Sequence, residues 1–347
     1  MKRVGIIILN WNGKEHLATF LPSVLRHSGK NDVVVIDNNS SDDSVEFLSK
    51  EYPQIRLVHN TENGGFAKGY NQGLKQIEGE YTQYVLLNSD VEVTENWIEP
   101  IVSKMESDEK LVACQPKVLA YKSKNKFEHA GASGGYLDKN GYPFCRGRIF
   151  NEIEEDEGQY NQETEIFWAT GACMFVKSKV FHSLGGFDDT YFAHMEEIDL
   201  CWRMKLHGYR IMAIPSSLVY HLGGGTLNYM SPRKVYLNFR NSLFTLYKNY
   251  RGSFLLAKIA WRFLLDYIAF VAFIANGEFR ASVQILKAQV HFLGRLGEMK
   301  QKRKALKLAT KEVEFNASGL YKKSIVFSNF IKRKKHFSNL ELRNFYR

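Results

Sequence analysis

An acidic cluster between residues 196 and 199 has the composition of a proton-transfer site. Glu196, Glu197 and Asp199 lie within four positions, and the helical spacing of the apolar residues after them predicts a helix over 197–207. The helix dipole stabilises anions at its N-terminus, so a solvated acidic first turn is one interpretation. The other is a general base, because crowded carboxylates raise one another's pKa toward neutral pH, which suits removal of a proton from a hydroxyl.

Two further residues could hold a divalent metal. Asp90 follows an apolar run and the pair Asn88-Ser89, and a carboxylate fixed there suits Mg²⁺ or Mn²⁺ bridging to a diphosphate. His221 precedes three glycines, which would let a phosphate or metal approach the backbone closely. Ordinary turn chemistry for Asn-Ser-Asp and a structural role for His221 remain open alternatives.

A nucleotide site is predicted from two polar segments. Asp37 ends an apolar run and could accept hydrogen bonds from a pyrimidine imide or a ribose, whereas an Asx turn or a helix cap is the alternative. Residues 63–73 read NGGFAKGYNQG, a glycine-rich turn that would let a nucleotide lie against the backbone.

Four strand-then-helix units within the first ninety residues must position these side chains. The apolar runs at 4–9, 32–37, 55–59 and 84–87 predict short buried strands, which together indicate an α/β domain with a mostly parallel central sheet. Ligands of such sheets gather at the carboxyl ends of the strands, where Asn10, Asp37 and Asp90 stand. No G-x-G-x-x-G follows the first strand, which argues against a dinucleotide dehydrogenase.

Composition and charge indicate a globular protein with a basic tail. The 347 residues are 44% hydrophobic and 24% charged, which permits a sizeable core. Residues 300–347 contain 14 Lys and Arg against 3 Asp and Glu, a balance of +11, so the net charge of +10 leaves the preceding residues near −1. The four cysteines show no C-x-x-C spacing and are predicted to be reduced core thiols.

Eight motifs in this order resemble those of family 2 glycosyltransferases. They are V-x-I-I-I-L-N-W-N, V-I-D-N-N-S-S-D-D-S, N-G-G-F-A-K-G-Y-N-Q-G, L-L-N-S-D, W-A-T-G-A-C-M-F-V, G-G-F-D, E-E-I-D-L-C-W-R and H-L-G-G-G. The resemblance covers about residues 3–226 and continues weakly through Arg240-Asn241. The nearest branch is that of the bacterial rhamnosyltransferase-like enzymes that build surface polysaccharides.

The resemblance implies a GT-A fold and an inverting, metal-dependent sugar transfer from a nucleotide diphosphate to a hydroxyl of a glycan or lipid-linked acceptor, with dTDP-rhamnose as the donor that the branch suggests. It implies Glu197 as the base with Glu196 and Asp199 as supporting acids, and Mg²⁺ or Mn²⁺ on Asp90 and His221. The implied donor contacts are Asn10, Asn12, Asp37, Gly65, Phe66, Asn71 and Asn88, and the acceptor contacts are Trp168, Thr170 and Gly171. For Trp168, core packing is the alternative.

Two residues depart from the family pattern. Asn88 stands where the metal motif usually begins with Asp, which removes one anionic ligand. Glu197 stands where the base is usually Asp, so its reach is one methylene longer. An inactive glycan-binding relative is therefore one alternative function. A sugar-phosphate nucleotidyltransferase is another, although residues 10–13 are not the glycine-rich, basic loop which that class needs for a triphosphate.

We predict a catalytic domain over 1–230, with a nucleotide-sugar half at 1–110 and an acceptor half at 111–230, and a helical, basic extension over 231–347. No signal-peptide pattern follows the N-terminal Lys2-Arg3 pair, which favours a cytoplasmic protein.

The most apolar stretch of the extension is interrupted by Lys258, Arg262 and Asp266 at four-residue spacing. Its longest uncharged run is shorter than the about 20 residues of a transmembrane helix. The pattern predicts a helix lying in the inner membrane interface, with Trp261 and Tyr267 at headgroup depth. Packing on the catalytic domain or across a homodimer is the alternative. Basic clusters at 300–304 and 332–335 would attract anionic lipid, and we expect a membrane rather than nucleic acid because the acceptor is lipid-linked.

Overall fold

The computed structural model describes residues 2–223 and 231–346, with a mixed ten-stranded sheet at the centre. The strands are β1 (Lys2–Asn10), β2 (Asp32–Asp37), β3 (Arg56–His59), β4 (Tyr81–Asn88), β5 (Val91–Val93), β6 (Leu111–Ala120), β7 (Ser123–Phe127), β8 (Gly135–Asp138), β9 (Pro143–Cys145), β10 (Arg148–Ile149), β11 (Glu152–Ile153), β12 (Thr164–Glu165), β13 (Cys173–Lys177), β14 (Arg210–His221) and β15 (Leu320–Tyr321). The helices are α1 (Lys14–His27), α2 (Ser44–Glu51), α3 (Gly65–Gln76), α4 (Glu99–Ser107), α5 (Ser178–Ser183), α6 (Glu196–Leu206), α7 (Pro232–Asn249), α8 (Leu255–Ala275), α9 (Phe279–Gly294), α10 (Leu296–Ala309) and α11 (Ile325–Phe330).

The strand order of the central sheet is β12-β14-β6-β13-β4-β1-β2-β3, with β5 and β7 paired at its side. Strands β1 to β4 run parallel, as the apolar runs predicted. The sheet is mixed because β13 runs antiparallel to both β4 and β6. The register aligns Asn10 with Asp37 and Leu9 with Asn88, so the polar strand ends lie at one edge.

Helices cover both faces of the sheet because alternate residues of each strand point to opposite sides. On β1, Ile7 belongs to one apolar core, whereas Ile6 and Ile8 belong to the other. The first core includes residues of α3, α6 and α7, and the second includes residues of α1, α2 and α4. The result is the layered α/β architecture that the sequence predicted.

Strand β14 extends to His221, because it pairs along the whole of β6 with a register shift between Ile214 and Leu218. This extension delivers His221 to the polar edge of the sheet. Strand β13 begins only at Cys173, and the residues from Phe167 to Ala172 before it are not part of a strand. Gly224 and Gly225 of the H-L-G-G-G motif lie outside the described residues.

The segment that follows α7 is mostly helical but returns to the catalytic half of the chain. Strand β15 pairs with β8 in a five-stranded sheet of order β11-β10-β9-β8-β15. Helix α7 contributes Leu243, Phe244 and Leu246 to the larger core. The boundary expected at residue 230 is therefore crossed by extensive packing. Within the described part of the chain, no helix has both the length and the apolar character needed to cross a bilayer.

Candidate active site

The loops that follow β1 and β2 are joined by side-chain amides. Asn10 is buried, and its amide nitrogen donates to Asp37 Oδ1 at 3.3 Å and to Ser40 Oγ at 3.1 Å. The Asp37 carboxylate also accepts from the Ser40 backbone N–H at 3.1 Å. Asn12 adopts a positive φ of 50° and accepts from the Ser41 N–H at 2.7 Å. Asn10, Asn12 and Asp37 thus form one polar shelf, where their donor contacts were expected.

The glycine-rich turn contacts the loop that precedes α6. The Phe192 carbonyl accepts from the Phe66 N–H at 2.7 Å and from the Ala67 N–H at 3.2 Å. Gly65 has a φ of +74°, and a Cβ there would lie 2.6 Å from Phe192, so a side chain would collide. The first N–H groups of α3 are therefore used within the protein, and Gly65 and Phe66 support the neighbouring loop.

Asn71 holds a turn in place instead of facing the strand ends. Its amide oxygen accepts from the Phe187 N–H at 3.0 Å, and its nitrogen donates to the Phe187 carbonyl at 2.8 Å and to Asp189 Oδ1 at 2.6 Å. Both ends of the amide have partners in the G-G-F-D turn. We therefore remove Asn71 from the expected donor contacts.

Asp90 and His221 meet, as expected, and Glu128 joins them. His221 Nε2 lies 3.1 Å from Asp90 Oδ1, and His221 Nδ1 lies 3.4 Å from Glu128 Oε2. Asn88 Nδ2 is 3.5 Å from the same Nε2. Burial disfavours the charged imidazolium, but the Glu128 and Asp90 carboxylates outweigh it and raise the pKa of His221 to about 10. A positive charge is therefore favoured between these two acids.

One divalent ion could replace the proton that Asp90 and His221 share. Asp90 Oδ1 and His221 Nε2 lie 3.1 Å apart in a hydrogen bond, and a histidine that ligates Mg²⁺ or Mn²⁺ must be neutral, so His221 would release a proton when the ion binds. Among residues 2–223 and 231–346, no group of three or more His, Cys, Asp or Glu is arranged as a complete metal site. The remaining ligands would have to be diphosphate oxygens and water, as is usual for Mg²⁺ at phosphate-binding sites.

Glu196 and Glu197 begin α6, one position earlier than the sequence predicted. The Oε2 atoms of both are buried and have no hydrogen-bond partner in the described chain. Burial, together with the neighbouring charge of Glu197, raises the pKa of Glu196 well above its ordinary value. Burial also raises the pKa of Glu197 to about 7. Glu196 is thus the protonated member of the pair, and half-buried Glu197 is the one that ionises near neutral pH.

The loop that leads into α6 has an unusual backbone. Phe192, His194 and Met195 have φ values of 65°, 68° and 72°, a region that non-glycine residues rarely adopt. Fully buried Asn241 of α7 holds this loop by donating to the carbonyls of Tyr191, Ala193 and His194 at 3.1, 2.9 and 2.7 Å. Arg240 adds a 3.0 Å hydrogen bond to the Tyr191 carbonyl. These contacts fix the direction in which Glu197 enters the site.

Replacing Asn241 by aspartate tests this support. Asn241→Asp keeps the shape but turns the donor into an acceptor that faces three carbonyls, so the free energy of unfolding should fall by about 1–3 kcal/mol. We expect kcat to fall more than the affinity for nucleotide, because the loop leads directly to Glu197, the expected base. Chemical denaturation and steady-state kinetics measure both. Asn276→Asp, at an exposed position, should change stability by less than about 0.5 kcal/mol; equal effects for the two variants would contradict the role of Asn241.

Asp199 does not reach the site. Its buried carboxylate accepts from Arg203 Nε at 2.9 Å and Asn249 Nδ2 at 2.7 Å and pairs with Lys248 Nζ at 2.9 Å. Although burial opposes ionisation, these cations lower the pKa of Asp199. The Asp199 side chain therefore points into the protein. It joins α6 to α7 and does not assist Glu197.

Of the three expected acceptor contacts, only Gly171 lies beside the base. Trp168 is 3% exposed, and its indole N–H donates to the Tyr136 carbonyl at 2.9 Å. Thr170 is 1% exposed and accepts from the Ala172 N–H at 3.1 Å. Both side chains are packed in the core, which for Trp168 was the alternative interpretation. A Cβ at Gly171 would lie 3.9 Å from Glu197 Cβ.

The segment 171–172 connects the two halves of the site. Gly171 lies close to Glu197, since a Cβ added there would be 3.9 Å from Glu197 Cβ. The carbonyl of the next residue, Ala172, accepts from the Asn88 N–H at 3.0 Å. Asn88 in turn lies beside His221. Glu197 and the Asp90–His221 pair are therefore both built around one short stretch of backbone.

Sequence reasoning missed Glu128 and did not assign a role to Asn241. Glu128 directly follows the short strand β7, where no motif marks it. Its only sequence signal is an acid-histidine pair just before a glycine-rich run. That histidine, His129, lies 3.2 Å from buried Arg148. Asn241 was visible as part of an Arg-Asn pair after the last motif, but its partners are backbone carbonyls, which leave no trace in the sequence.

Comparisons with known proteins place this geometry in context. The family profile described as "Glycosyl transferase family 2" matches residues 5–185, more than half of the chain. The N-acetylglucosaminyl-diphospho-decaprenol L-rhamnosyltransferase of Mycobacterium tuberculosis is 25% identical over 232 residues, which are 62% of this chain and 75% of that protein.

Two solved structures share the fold at low identity. TarS of S. aureus, residues 1–349, has a TM-score of 0.54 at 11% identity and covers 89% of this chain and 90% of its own. The mannosyltransferase PcManGT from Pyrobaculum calidifontis, solved with GDP-Man and Mn²⁺, has a TM-score of 0.50 at 15% identity and covers 89% of this chain and 87% of its own. At these identities the likeness concerns the fold alone.

Proposed function

Because this chain belongs to glycosyltransferase family 2, we propose that it transfers a sugar with inversion from a nucleotide diphosphate to a hydroxyl of a glycan or lipid-linked acceptor. It is a glycosyltransferase with the GT-A fold. The observation that carries the proposal is that Glu197 and the Asp90–His221 pair are both positioned next to the segment 171–172. A base and a diphosphate anchor on either side of one sugar are what inversion requires.

Glu197 acts as the general base. Its ionised carboxylate takes the proton of the acceptor hydroxyl, whose oxygen forms the new bond to the anomeric carbon while the bond from that carbon to the diphosphate oxygen breaks. The nucleotide diphosphate leaves with the bonding electrons. Burial keeps Glu196 protonated, so it adds no second negative charge near the attacking oxygen.

Asp90 and His221 would hold Mg²⁺ or Mn²⁺, and Asn88, 3.5 Å from His221, would contact the same diphosphate. When bound, the ion neutralises charge that develops on the leaving diphosphate. Asn10, Asn12 and Asp37 contact the nucleotide from the polar shelf. The neutral Asn88 contributes no charge, so the family's first acidic position is replaced here by a hydrogen-bonding amide.

We assign dTDP-rhamnose as the donor and cell-surface polysaccharide as the product class, at the inner face of the membrane. The support is the similarity to a rhamnosyltransferase that acts on a diphospholipid-linked sugar, as its name states. Thermal-shift measurements against a panel of nucleotide sugars, with and without Mn²⁺, test this assignment. We expect the largest Mn²⁺-dependent rise in Tm with dTDP-rhamnose; a larger rise with a UDP or GDP sugar would contradict the donor, and no rise with any of them would contradict the site.

The rate should depend on pH through Glu197. Since its pKa is raised to about 7, the base is protonated and inactive below that pH and ionised above it. With one ionisation at that pKa, kcat/KM should rise about tenfold between about pH 6 and about pH 8. Measurement across this range with saturating Mn²⁺ checks it. An acidic inflection near pH 4.5, the ordinary glutamate value, would mean that Glu197 is not the base or is not buried in the working enzyme.

A further inference from the structure

Helix α8 has an outward face that is entirely apolar. Leu256, Trp261 and Ile268 are 78%, 48% and 57% exposed. The other exposed side chains of this helix share that character: Ala257, Ala260, Leu264, Tyr267, Val271, Ala272, Ile274 and Ala275. With 21 residues, the helix presents this face over about 30 Å. Contiguous exposed apolar surface of this extent marks an interaction site.

Two charged residues of α8 point into the protein. Arg262 and Asp266 are each 1% exposed. The Arg262 guanidinium donates to the Asn140 carbonyl at 3.0 Å and to Ser242 Oγ at 2.6 Å, and it lies 3.8 Å from the centre of the Tyr142 ring. The polar side of this helix is therefore turned into the protein. The sequence predicted one charged face on an interfacial helix, with packing on the catalytic domain as the alternative, and the structure places Arg262 and Asp266 of that face against the protein.

Helices α9 and α11 add to the same kind of surface. On α9, Val283 and Val290 are exposed, and on α11 Phe327, Phe330 and Ile331 are exposed. The hairpin turn at 138–142 anchors α8 through Lys258 and Arg262, and the Asp138 carboxylate accepts from the Ile325 N–H at the start of α11 at 2.9 Å. Helices α8 and α11 therefore meet at one turn.

We propose that α8, α9 and α11 form a docking face that lies flat on a bilayer containing anionic lipid. Exposed basic residues accompany the apolar ones: Arg280 and Lys287 on α9, and Lys322, Lys323, Lys332, Arg333 and Lys335 around α11. Anionic headgroups complement such a fringe. Trp261 and Tyr267 supply the amphipathic rings that favour the headgroup region.

A second copy of the chain is a poorer occupant of this face. In a two-fold dimer the same surface meets itself, which would bring the basic fringe toward its own copy. Protein interfaces also carry about one hydrogen bond per 100–200 Å², whereas the outward side chains of α8 include only the Trp261 and Tyr267 polar groups. An acyl-chain boundary requires no hydrogen bonds from them.

The docking face rests on the proposed function, because it explains how the enzyme would be held at the membrane. Its test needs no donor or acceptor, so failure of membrane binding and failure of sugar transfer can be distinguished. The full chain is sedimented with vesicles of phosphatidylcholine, with and without phosphatidylglycerol. We expect binding to the mixed vesicles and weaker binding to pure phosphatidylcholine. Leu264→Glu combined with Ile268→Glu should lower the vesicle partition coefficient about 100-fold or more.

Matched controls separate docking from folding and from self-association. Leu308→Glu combined with Val313→Glu places the same charges at exposed apolar positions outside the docking face and should leave partition unchanged. Lys332→Gln with Arg333→Gln should weaken binding to mixed vesicles about fivefold per side chain. An equal loss of vesicle binding in the Leu308→Glu, Val313→Glu control would overturn the proposal. So would a wild-type protein that is dimeric and does not bind vesicles, if Leu264→Glu with Ile268→Glu makes it monomeric, because the face would then be a dimer interface.

Discussion

Glu197→Gln should lower the rate of sugar transfer by about 10²–10⁴-fold, the usual contribution of a general base. The substitution keeps the size and the hydrogen-bonding geometry of the side chain but removes its ability to accept a proton. Affinity for the nucleotide should change little, because Glu197 lies close to Gly171, an expected acceptor contact, and is not part of the polar shelf. Single-turnover assays and calorimetric titration of the nucleotide measure the two quantities. Glu46→Gln, on the exposed surface of α2, should leave both unchanged.

The same variant should be more stable than the wild type above neutral pH. Burial raises the pKa of Glu197 to about 7, so the stability that the protonated form confers is present below the unfolded-state pKa and is lost as pH rises through the folded-state pKa. At about pH 8 the glutamine should therefore increase the free energy of unfolding by about 1–3 kcal/mol, with little difference near pH 5. Such a gain at the cost of activity is expected of a destabilised active-site residue. A variant that loses both stability and activity would indicate a structural role for Glu197.

Asp90→Asn should abolish the effect of metal on nucleotide binding and reduce transfer by about 10²-fold or more, since Lewis-acid stabilisation contributes several kcal/mol. The amide retains the shape but not the charge of the carboxylate. Titration of nucleotide diphosphate with and without Mn²⁺ gives a readout that is independent of turnover: the wild type should bind more tightly with Mn²⁺, and the variant should bind equally under both conditions.

Glu92→Gln is the matched control for Asp90. It removes one negative charge two residues away, where Glu92 pairs with exposed Lys124, and it should preserve the Mn²⁺ response. If Asp90→Asn retains a normal response to Mn²⁺, the ion is held elsewhere and the assignment of Asp90 and His221 fails.

The sequence predicts those features that local pattern determines. Short apolar runs predicted Asn10, Asp37 and Asp90 at strand ends, and parallel pairing through β1 brings the ends of β1, β2 and β4 to one edge. The acidic start of α6 was equally visible, because its helix follows from 3.6-residue spacing. What these predictions share is that each depends on a few neighbouring residues and a regular backbone.

Long-range partners could not be predicted from the same patterns. Glu128 reaches His221 only because β14 runs the full length of β6. Asp199 and Asn71 have the residue types of site residues, yet their partners, Lys248 and the Phe187 turn, are distant in sequence. Shifting α6 or α3 by one residue would rotate these side chains by about 100° around the helix axis, and the motif alone does not determine that rotation.

Helix α8 illustrates the same limit for surfaces. Its four-residue charge spacing correctly predicted one charged face, but which face meets water depends on what lies beneath. The carbonyl of Asn140 and the ring of Tyr142 provide partners for Arg262 inside the protein, and the apolar side is left outside.

A crystal structure of Glu197→Gln with nucleotide diphosphate and Mn²⁺ tests the central claim most directly. We predict an anomalous Mn²⁺ peak about 2.2 Å from both an Asp90 carboxylate oxygen and His221 Nε2. The nucleobase should lie against Asp37, and the amide of residue 197 should face the sugar-binding space beyond the diphosphate. An ion bound away from Asp90, or a nucleotide that opens onto a surface without residue 197, would contradict the account.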